Sequence, residues 1–513
     1  MGALTYSFHD GGEAGREILG GKGEGLVSMV RLGLPVPPGF IIGTPAGREF
    51  AASGALPTGL LDEVHERVAA LEAGARRRFG DDRSPLLVSV RSGAPVSMPG
   101  MMDTVLNVGL TPAGAEALAR ETGDERFAQS SLERLLHGFA TTVRGISAGV
   151  VEDALLDLPA GAGASDRCVA LLALIEEQSG VPFPDACGQL AEAIAAVFRS
   201  WDSPRAQAYR RHKGIDESMG TAVVVQQMVF GNRGQDSGSG VAFTRDPSTG
   251  ARGAFGDVLF DAQGEDVVAG ERDTLALGEL GTHLPAAMAE LERVFEILER
   301  DTGDLCDIEF TIEQGRVWIL QTRVGQRSAR AAVRLAVAFA EEGLISRAQA
   351  VARVSDEQLI GARAAVFACE PAEADVLARG LAASPGAAVG IVALTSESAQ
   401  ARAEAGEAVI LVRPTTSPAD LSGVLASAGL VTARGGRASH AAVVARGLNR
   451  PAVCGTGELP VHEGETISVD GDRGIVARGA QPRRPAEEDP VLATFLQWHR
   501  ELGAAPVAPR SRP

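Results

Sequence analysis

Short apolar runs alternate with helical periodicity through the first part of the chain. Leu86 to Val90, Thr221 to Val229 and Val241 to Thr244 read as strands. Leu60 to Phe79 and Ser130 to Val143 carry apolar residues three and four apart and read as amphipathic helices. Residues 158–165 and 231–240, rich in Gly, Ala, Ser and Asn, read as loops. This α/β block is expected to end near residue 325. Residues 326–375 then turn strongly helical and read as a connector. From 376 to 480 strands return at Gly390–Leu394, Ala408–Val412, Gly429–Thr432 and Glu465–Val469, with helical segments between them, as a second globular unit. Residues 481–513 are dominated by Pro and Arg, broken by one amphipathic patch from Val491 to Leu502, and are expected to be a partly mobile linker or tail. No internal repeat is evident.

Composition narrows the partners. With 48 basic and 66 acidic residues the net charge is −18, which excludes a general attraction to nucleic acid or anionic membrane and leaves room for a local cationic pocket. No apolar run is long enough to span a bilayer. The opening MGALTYSFHDGGEAGRE has no basic stretch followed by an apolar one, so no secretory signal is expected. The five cysteines are scattered without a CxxC pair, which fits a reduced, cytoplasmic chain without structural zinc.

Chemistry concentrates in four places. Lys22 is one of only two lysines, and it sits in Gly20-Gly21-Lys22-Gly23-Glu24-Gly25, where a compact ammonium among flexible backbone amides can approach a phosphate. A plain surface lysine is the alternative. Val88 to Thr104 reads as a strand ending at Arg91 and entering a loop punctuated by Gly93, Pro99 and Gly100, whose N–H groups can turn around an anion. Methionines 98, 101 and 102 suit a lid over a nucleotide, although core packing would use them equally. Neither segment matches GxxxxGK[ST], which disfavours a P-loop.

The third place is residues 306–323, two alternating runs around Glu313-Gln314-Gly315 that read as a hairpin. Asp307 and Glu309 then share a face, as do Gln321 and Arg323, with Ile308, Phe310, Trp318 and Leu320 on the opposite, core-seeking face. Hard oxygens beside a guanidinium suit a Mg²⁺-bound polyphosphate. A solvated hairpin face with a salt bridge would look the same. The fourth is Gly435-Gly436-Arg437-Ala438-Ser439-His440, a glycine turn and an N-capping serine before the helix AAVVAR, closed by Gly447. His440 falls in the first helical turn, where the dipole favours neutral, nucleophilic imidazole and would stabilise a phosphate placed on it. A structural histidine is the alternative.

Taken together, GGKGEGL, VSVRSGAPVSMPGMMDTVLN, AVFRSWDSPRAQAYRR, DSGSGVAFTRDPSTG, QGEDVVAG, DIEFTIEQGRVWILQTR and GGRASHAAVVARG resemble, in order and spacing, the motifs of the pyruvate, phosphate dikinase family among the phosphoenolpyruvate-utilising dikinases. The resemblance covers nearly all of residues 15–475. It implies a multidomain α/β chain: an ATP-grasp-type nucleotide-binding domain over 1–325, the helical connector over 326–375, and a swivelling phosphohistidine β/α domain over 376–480. It also implies site roles. Lys22 and Arg91 would hold the phosphates of ATP, and the Gly100–Thr104 loop, with Met101, would close over them. Gln227, Met228 and Val229 would form the adenine hinge. Glu309 and Gln321 would hold Mg²⁺, Asp307 and Arg323 would flank the reacting phosphates, and His440 would accept the phosphoryl group. ATP and inorganic phosphate would then yield AMP, pyrophosphate and phosphohistidine, serving pyruvate/phosphoenolpyruvate interconversion or transfer to an acceptor on a separate chain. The DSGSGVAFTRDP stretch is closer to the phosphate-dependent members than to the water-dependent synthase.

Three departures qualify these expectations. Phe495 to Leu502 resembles the helix leading into the family's C-terminal (β/α)₈ barrel, and the sequence ends soon after. The expectation is therefore a form lacking the pyruvate-binding barrel, working with a separate barrel chain, with a homodimer left open. Ala438 stands where family members usually carry a threonine targeted by a regulatory kinase. Gln326 stands where they carry a lysine. Two other functions compete. One is an antibiotic or small-molecule phosphotransferase, whose acceptor-binding domain would have to fit in the helical residues 326–375. The other is a non-catalytic nucleotide-binding remnant, against which the intact set Lys22, Arg91, Glu309, Gln321 and His440 argues.

Overall fold

The strand and helix signals can be followed into a computed structural model that describes residues 3–96, 98, 101–269, 272, 274–486 and 489–502. Its contacts divide the chain into two compact units, Met1–Val229 with Trp318–Gln321, and Phe230–Val317 with Thr322–Pro513. The first division falls after Val229, so the stretch expected as one nucleotide-binding domain over 1–325 contributes to both units.

In the first unit, β-branched runs become β1 (Thr5–Ser7), β2 (Gly39–Ile42), β3 (Val88–Gly93), β4 (Thr104–Val108) and β5 (Ala222–Gln227), in the order β1-β2-β5-β3-β4. Val88, Val90, Val223, Val224 and Val225 are all buried at its centre, as expected for strands covered on both faces. Helix α1 (Arg16–Arg31) packs on β3 and β5. Helix α2 (Leu60–Ala75) stops short of Phe79, because Arg76 turns left-handed at φ 54° and residues 78–79 are extended. Helix α3 (Glu125–Gly138) is capped by the Asp124 carboxylate, which accepts from Phe127 N–H, and it continues into a π-turn through Val143. Helix α4 (Pro204–Lys213) ends the helical insertion between β4 and β5.

A second sheet holds β6 (Gly238–Arg245), β7 (Arg252–Phe260), β8 (Leu275–Ala276), β9 (Cys306–Glu313) and β10 (Arg316–Val324), in the order β8-β7-β6-β9-β10, all in the second unit except Trp318–Gln321 of β10. The β9–β10 turn is tight: Gln314 and Gly315 both have positive φ, 49° and 77°, the combination a two-residue type I′ hairpin requires. The connector resolves into α5 (Ala329–Glu341), α6 (Arg347–Arg353) and α7 (Asp356–Ala362). Ser346/Gln349 and Ser355/Gln358 form capping boxes at the starts of α6 and α7, each satisfying two otherwise unpaired N–H groups.

Beyond the connector, β11 (Val366–Phe367) leads to an eight-stranded sheet of β12 (Val376–Arg379), β13 (Leu381–Ser384), β14 (Ala387–Ala393), β15 (Val409–Arg413), β16 (Gly429–Thr432), β17 (Ala452–Cys454), β18 (Thr466–Asp470) and β19 (Ile475–Arg478). Its order is β12-β19-β18-β14-β15-β16-β17-β13, and β14 to β17 run parallel. Helix α8 (His440–Gly447) crosses from β16 to β17. The chain leaves by β20 (Arg483–Arg484), which pairs antiparallel with β11, so the segments entering and leaving the sheet form one ribbon. The final patch becomes α9 (Pro490–Leu502), whose Leu492, Phe495 and Trp498 are buried in one cluster with Val333, Leu335 and Val337 of α5. This part of the expected tail is packed rather than free, since its apolar stripe has a helix to cover it.

Candidate functional site

In the first unit the Lys22 segment is a kinked helix, not the expected flexible loop. Gly20 breaks α1 with φ 69°, and a Cβ there would lie 1.6 Å from the Gly93 carbonyl oxygen. Gly21 N–H donates to Ala94 O at 2.9 Å. Glycine is needed because the end of β3 runs directly against the kink. Half-buried Lys22 is thereby set beside Gly93, two residues from Arg91 on one face of β3. Thr104 on β4 pairs directly with Arg91, so the end of the expected closing loop lies beside the two residues expected to hold phosphates. Arg91 Nη1 also donates to Leu320 O at 3.4 Å.

Met98 and Met101, expected as a lid, are buried with Trp201 and Ala206, and Met102 packs against the same cluster. Arg205 of α4 donates to Met101 O at 3.1 Å and pairs with Asp103. The base of the expected lid is therefore tied to the helical insertion. Gly100 lies outside the described residues. Gln227 ends β5, whereas Met228 and Val229 lie beyond it, with Met228 N–H donating to Leu87 O at 2.9 Å. The expected hinge strand is thus two residues shorter.

In the second unit, Arg323 Nε donates to Asp307 Oδ2 at 2.8 Å, so the two residues expected beside the reacting phosphates are in contact. Asp307 is 2 % exposed and its Oδ1 has no hydrogen-bond partner. Burial pushes its carboxyl above the usual carboxylate range, against the pull of Arg323, and neighbouring Glu309 pushes the same way. On β9 the expected core face holds, with Ile308 and Phe310 buried. On β10 it does not: Val317 and Ile319 are the buried pair, and Trp318 and Leu320 are only half-buried. With Gln314-Gly315 as a two-residue turn, Glu313 lies opposite Arg316, so Val317 and Ile319 fall opposite Ile312 and Phe310, and the alternation of β10 holds with the opposite parity. Glu309 and Gln321 are both half-buried. Among the described residues no group of three or more His, Cys, Asp and Glu side chains gathers as a metal site.

His440 is the first residue of α8, and the hydroxyl of Ser439 accepts from Ala442 N–H at 3.4 Å. The ring is half-buried, with Nδ1 3.1 Å from Thr416 Oγ1. Burial lowers its pKa, partly countered by Asp420, which keeps the imidazole neutral near pH 7. Thr416 follows β15 and His440 follows β16, neighbouring parallel strands. The site therefore sits at the carboxyl ends of those strands, where open α/β sheets place their ligands.

Two buried charges hold the turn before His440. Asp257 Oδ2 on β7 accepts from Ala438 N–H at 2.7 Å, and a Cβ on Gly436 would lie 2.4 Å from the same oxygen. Arg446 of α8 is 1 % exposed, donates to Arg437 O at 2.9 Å and Ala383 O at 3.0 Å, and lies over the Phe243 ring at 5.4 Å. Burial brings its pKa down to about 10.

Residues 52–275 match the pyruvate phosphate dikinase AMP/ATP-binding domain, and residues 405–474 match the mobile domain of phosphoenolpyruvate-utilising enzymes. The chain is 43% identical to a pyruvate, phosphate dikinase of Rhizobium meliloti, covering 97% of this chain and 60% of that protein. It is 44% identical to the chloroplastic pyruvate, phosphate dikinase 1 of Oryza sativa, covering 96% and 55%. It is 41% identical to the Clostridium symbiosum pyruvate, phosphate dikinase, covering 97% and 60%. The chain carries the nucleotide-binding and mobile domains of the pyruvate, phosphate dikinase family. It spans somewhat over half the length of these relatives. The dikinase nucleotide-binding match contains Arg91, Thr104, Gln227 and Asp257, and the mobile-domain match contains Thr416, Asp420, His440 and Arg446.

Sequence reasoning missed Thr416, Asp257 and Arg446. Only Thr416 carried a local signal, since Pro414-Thr-Thr-Ser-Pro418 directly follows a strand that runs beside the one preceding His440. No helix among the described residues is long and apolar enough to cross a membrane.

Proposed function

We propose that the chain is an ATP-dependent dikinase-type phosphotransferase in which His440 takes the β-phosphoryl group of ATP. In the net reaction ATP, inorganic phosphate and neutral His440 give AMP, pyrophosphate and phosphohistidine, with the γ-phosphoryl group leaving on phosphate. The observation that carries this reading is His440 at the head of α8: neutral, bonded through Nδ1 to Thr416, and leaving Nε2 for the new P–N bond. Helix α8 has its positive end at the ring, which favours the charge that arrives.

The other roles follow from chemical fit. Lys22, Arg91 and Thr104 would bind the phosphate chain, and Met101 and Gly100 would belong to the closing loop. Gln227, Met228 and Val229 would border the adenine. Arg323, oriented by Asp307, would offset charge on the reacting phosphates. Glu309 and Gln321 supply hard carboxylate and amide oxygens that suit Mg²⁺, an ion that usually takes one or two protein ligands and fills its octahedron with phosphate oxygens and water. Mg²⁺ bound there would neutralise phosphate charge. None of the described sheets is a (β/α)₈ barrel, so transfer from phosphohistidine to pyruvate would take place outside these residues, for example on a barrel chain.

The test is parallel labelling with β-³²P-ATP and γ-³²P-ATP in the presence of Mg²⁺ and phosphate. Acid-labile label on the protein from the β position alone, AMP as nucleotide product, and no label on His440→Ala are expected. ADP as the product would defeat the dikinase route, and ATP binding without any label would identify a non-catalytic remnant.

A further inference from the structure

We propose that Asp420 is a positioning residue for the nucleophile: through the loop that carries Thr416 it keeps the proton of the His440 ring on Nδ1 and the lone pair on Nε2. This deepens the dikinase reading, on which its kinetic consequence rests.

The 3.1 Å contact between Thr416 Oγ1 and His440 Nδ1 admits donation in either direction. A hydroxyl donating to Nδ1 would leave the ring proton on Nε2, where no lone pair would remain to attack phosphorus. What stands behind Thr416 therefore decides whether the outer nitrogen is a nucleophile.

Behind it is a buried carboxylate. Residues 414–417 belong to no helix or strand, and Pro414, Ser417 and Ala419 are exposed, whereas Asp420 is only 8 % exposed. Its Oδ2 accepts from Ser417 N–H at 3.0 Å and from Ser417 Oγ at 3.2 Å. Its Oδ1 accepts from Ser396 Oγ at 3.0 Å and lies 3.2 Å from Arg413 Nε. Arg413 Nη1 donates in turn to Leu394 O at 2.9 Å. The chain following Asp420 closes on the same point, since a Cβ on Gly423 would lie 2.7 Å from Ser396 Oγ. One carboxylate thus joins the segment after β14, the end of β15 and the residue next to Thr416.

The arrangement has a direction. Burial disfavours charge on Asp420, but the hydrogen bonds from Ser417 and Ser396 and the Arg413 guanidinium outweigh it and hold the carboxyl below its usual range. Arg413 sits at Oδ1, while Oδ2 is turned to the loop of Thr416. The negative charge reaches His440 from the Nδ1 side and raises the ring's affinity for a proton, and a proton is favoured on the nitrogen nearer the anion. A buried ion pair of this kind adds little stability over apolar packing. Its contribution here is orientation.

The experiment observes the full chain, labelled with ¹⁵N-histidine and free of nucleotide, by long-range ¹H–¹⁵N NMR, with the His440 ring identified by the signals lost in His440→Gln. A protonated Nδ1 and an unprotonated Nε2 are expected in the unmodified protein. Asp420→Asn keeps the size and removes the charge; the proton should shift toward Nε2, and the single-turnover labelling rate from β-³²P-ATP should fall about tenfold with ATP affinity unchanged. Ser417→Ala, at an exposed position, should move both readouts the same way by about two- to threefold, and it serves if Asp420→Asn does not fold. A tautomer unaltered in these variants, or a rate loss without a tautomer shift, overturns the proposal. Because the NMR measurement uses no nucleotide, its result is separate from the labelling of the unmodified protein, whose absence would instead defeat the dikinase reading.

Discussion

The β9–β10 hairpin and the His440 turn treat charge in opposite ways. In the hairpin, Asp307 is almost wholly buried, and the Arg323 guanidinium is held against it with a third of its side chain exposed. At the His440 turn the side chain is uncharged and bonded to a hydroxyl, and the nearby charges, Asp257 and Arg446, are spent on backbone groups. The contrast fits the two tasks. A polyphosphate brings several negative charges, so its site has to present an oriented cation. A nucleophile has to bring a lone pair, and a proton on the ring would remove it.

The largest effect should come from breaking the charged side. Arg323→Gln leaves Asp307 buried without its partner and should slow phosphohistidine formation roughly 10²–10³-fold, with Arg323→Lys recovering little because it lacks the planar fork. Single-turnover labelling measures this, and a rate within about tenfold of the unmodified protein would show that the pair is only structural. On the neutral side, Thr416→Val removes the partner of Nδ1 and should cost about tenfold in the labelling rate. Thr416→Ser should restore it, with ATP affinity unchanged throughout. Equal loss in Val and Ser variants would mean that the threonine acts through packing.

A smaller change is expected from Asp257→Ala, which frees the N–H of Ala438. Faster amide exchange there, with a labelling rate lowered roughly three- to tenfold, would establish the carboxylate as a support of the turn. Unaltered exchange would remove it from that role. The smallest effect is on pH. Burial lowers the His440 pKa, so the ring loses its lone pair to a proton only below the ordinary histidine value of about 6.5. The acid limb of the labelling rate should therefore lie below that value. It should move further down in Asp420→Asn, since Asp420 favours the imidazolium. An acid limb at or above about 6.5 would contradict a neutral, buried nucleophile.

Much of the architecture was legible in the sequence. Gly429–Thr432 was read with its observed bounds, and β14, β15 and β18 were displaced by only a few residues. The I′ hairpin was marked by Gln314-Gly315, and the start of α8 by Ser439 and Gly447. The strands β12, β13, β17 and β19 were not read from the pattern of the chain. The Lys22 segment was misjudged as a loop because its glycines answer to the end of β3, far along the chain. The burial of Met98 and Met101 was left open by the sequence, because Trp201 and Ala206, which cover them, lie about a hundred residues along the chain.

What the chain determined alone was local: caps, a tight turn, the alternation that buries Ile308 and Phe310 on β9, and the family to which its motifs point. Such features depend on residues within a few positions, whose geometry is set by backbone sterics and hydrogen bonding. Only the tertiary structure placed Thr416 on His440 across 24 residues and Asp257 on Ala438 across 181, and laid α9 against α5. Those contacts form because burying an apolar stripe or a charged group is favourable only where a complementary surface arrives, and no local pattern states which distant segment supplies it.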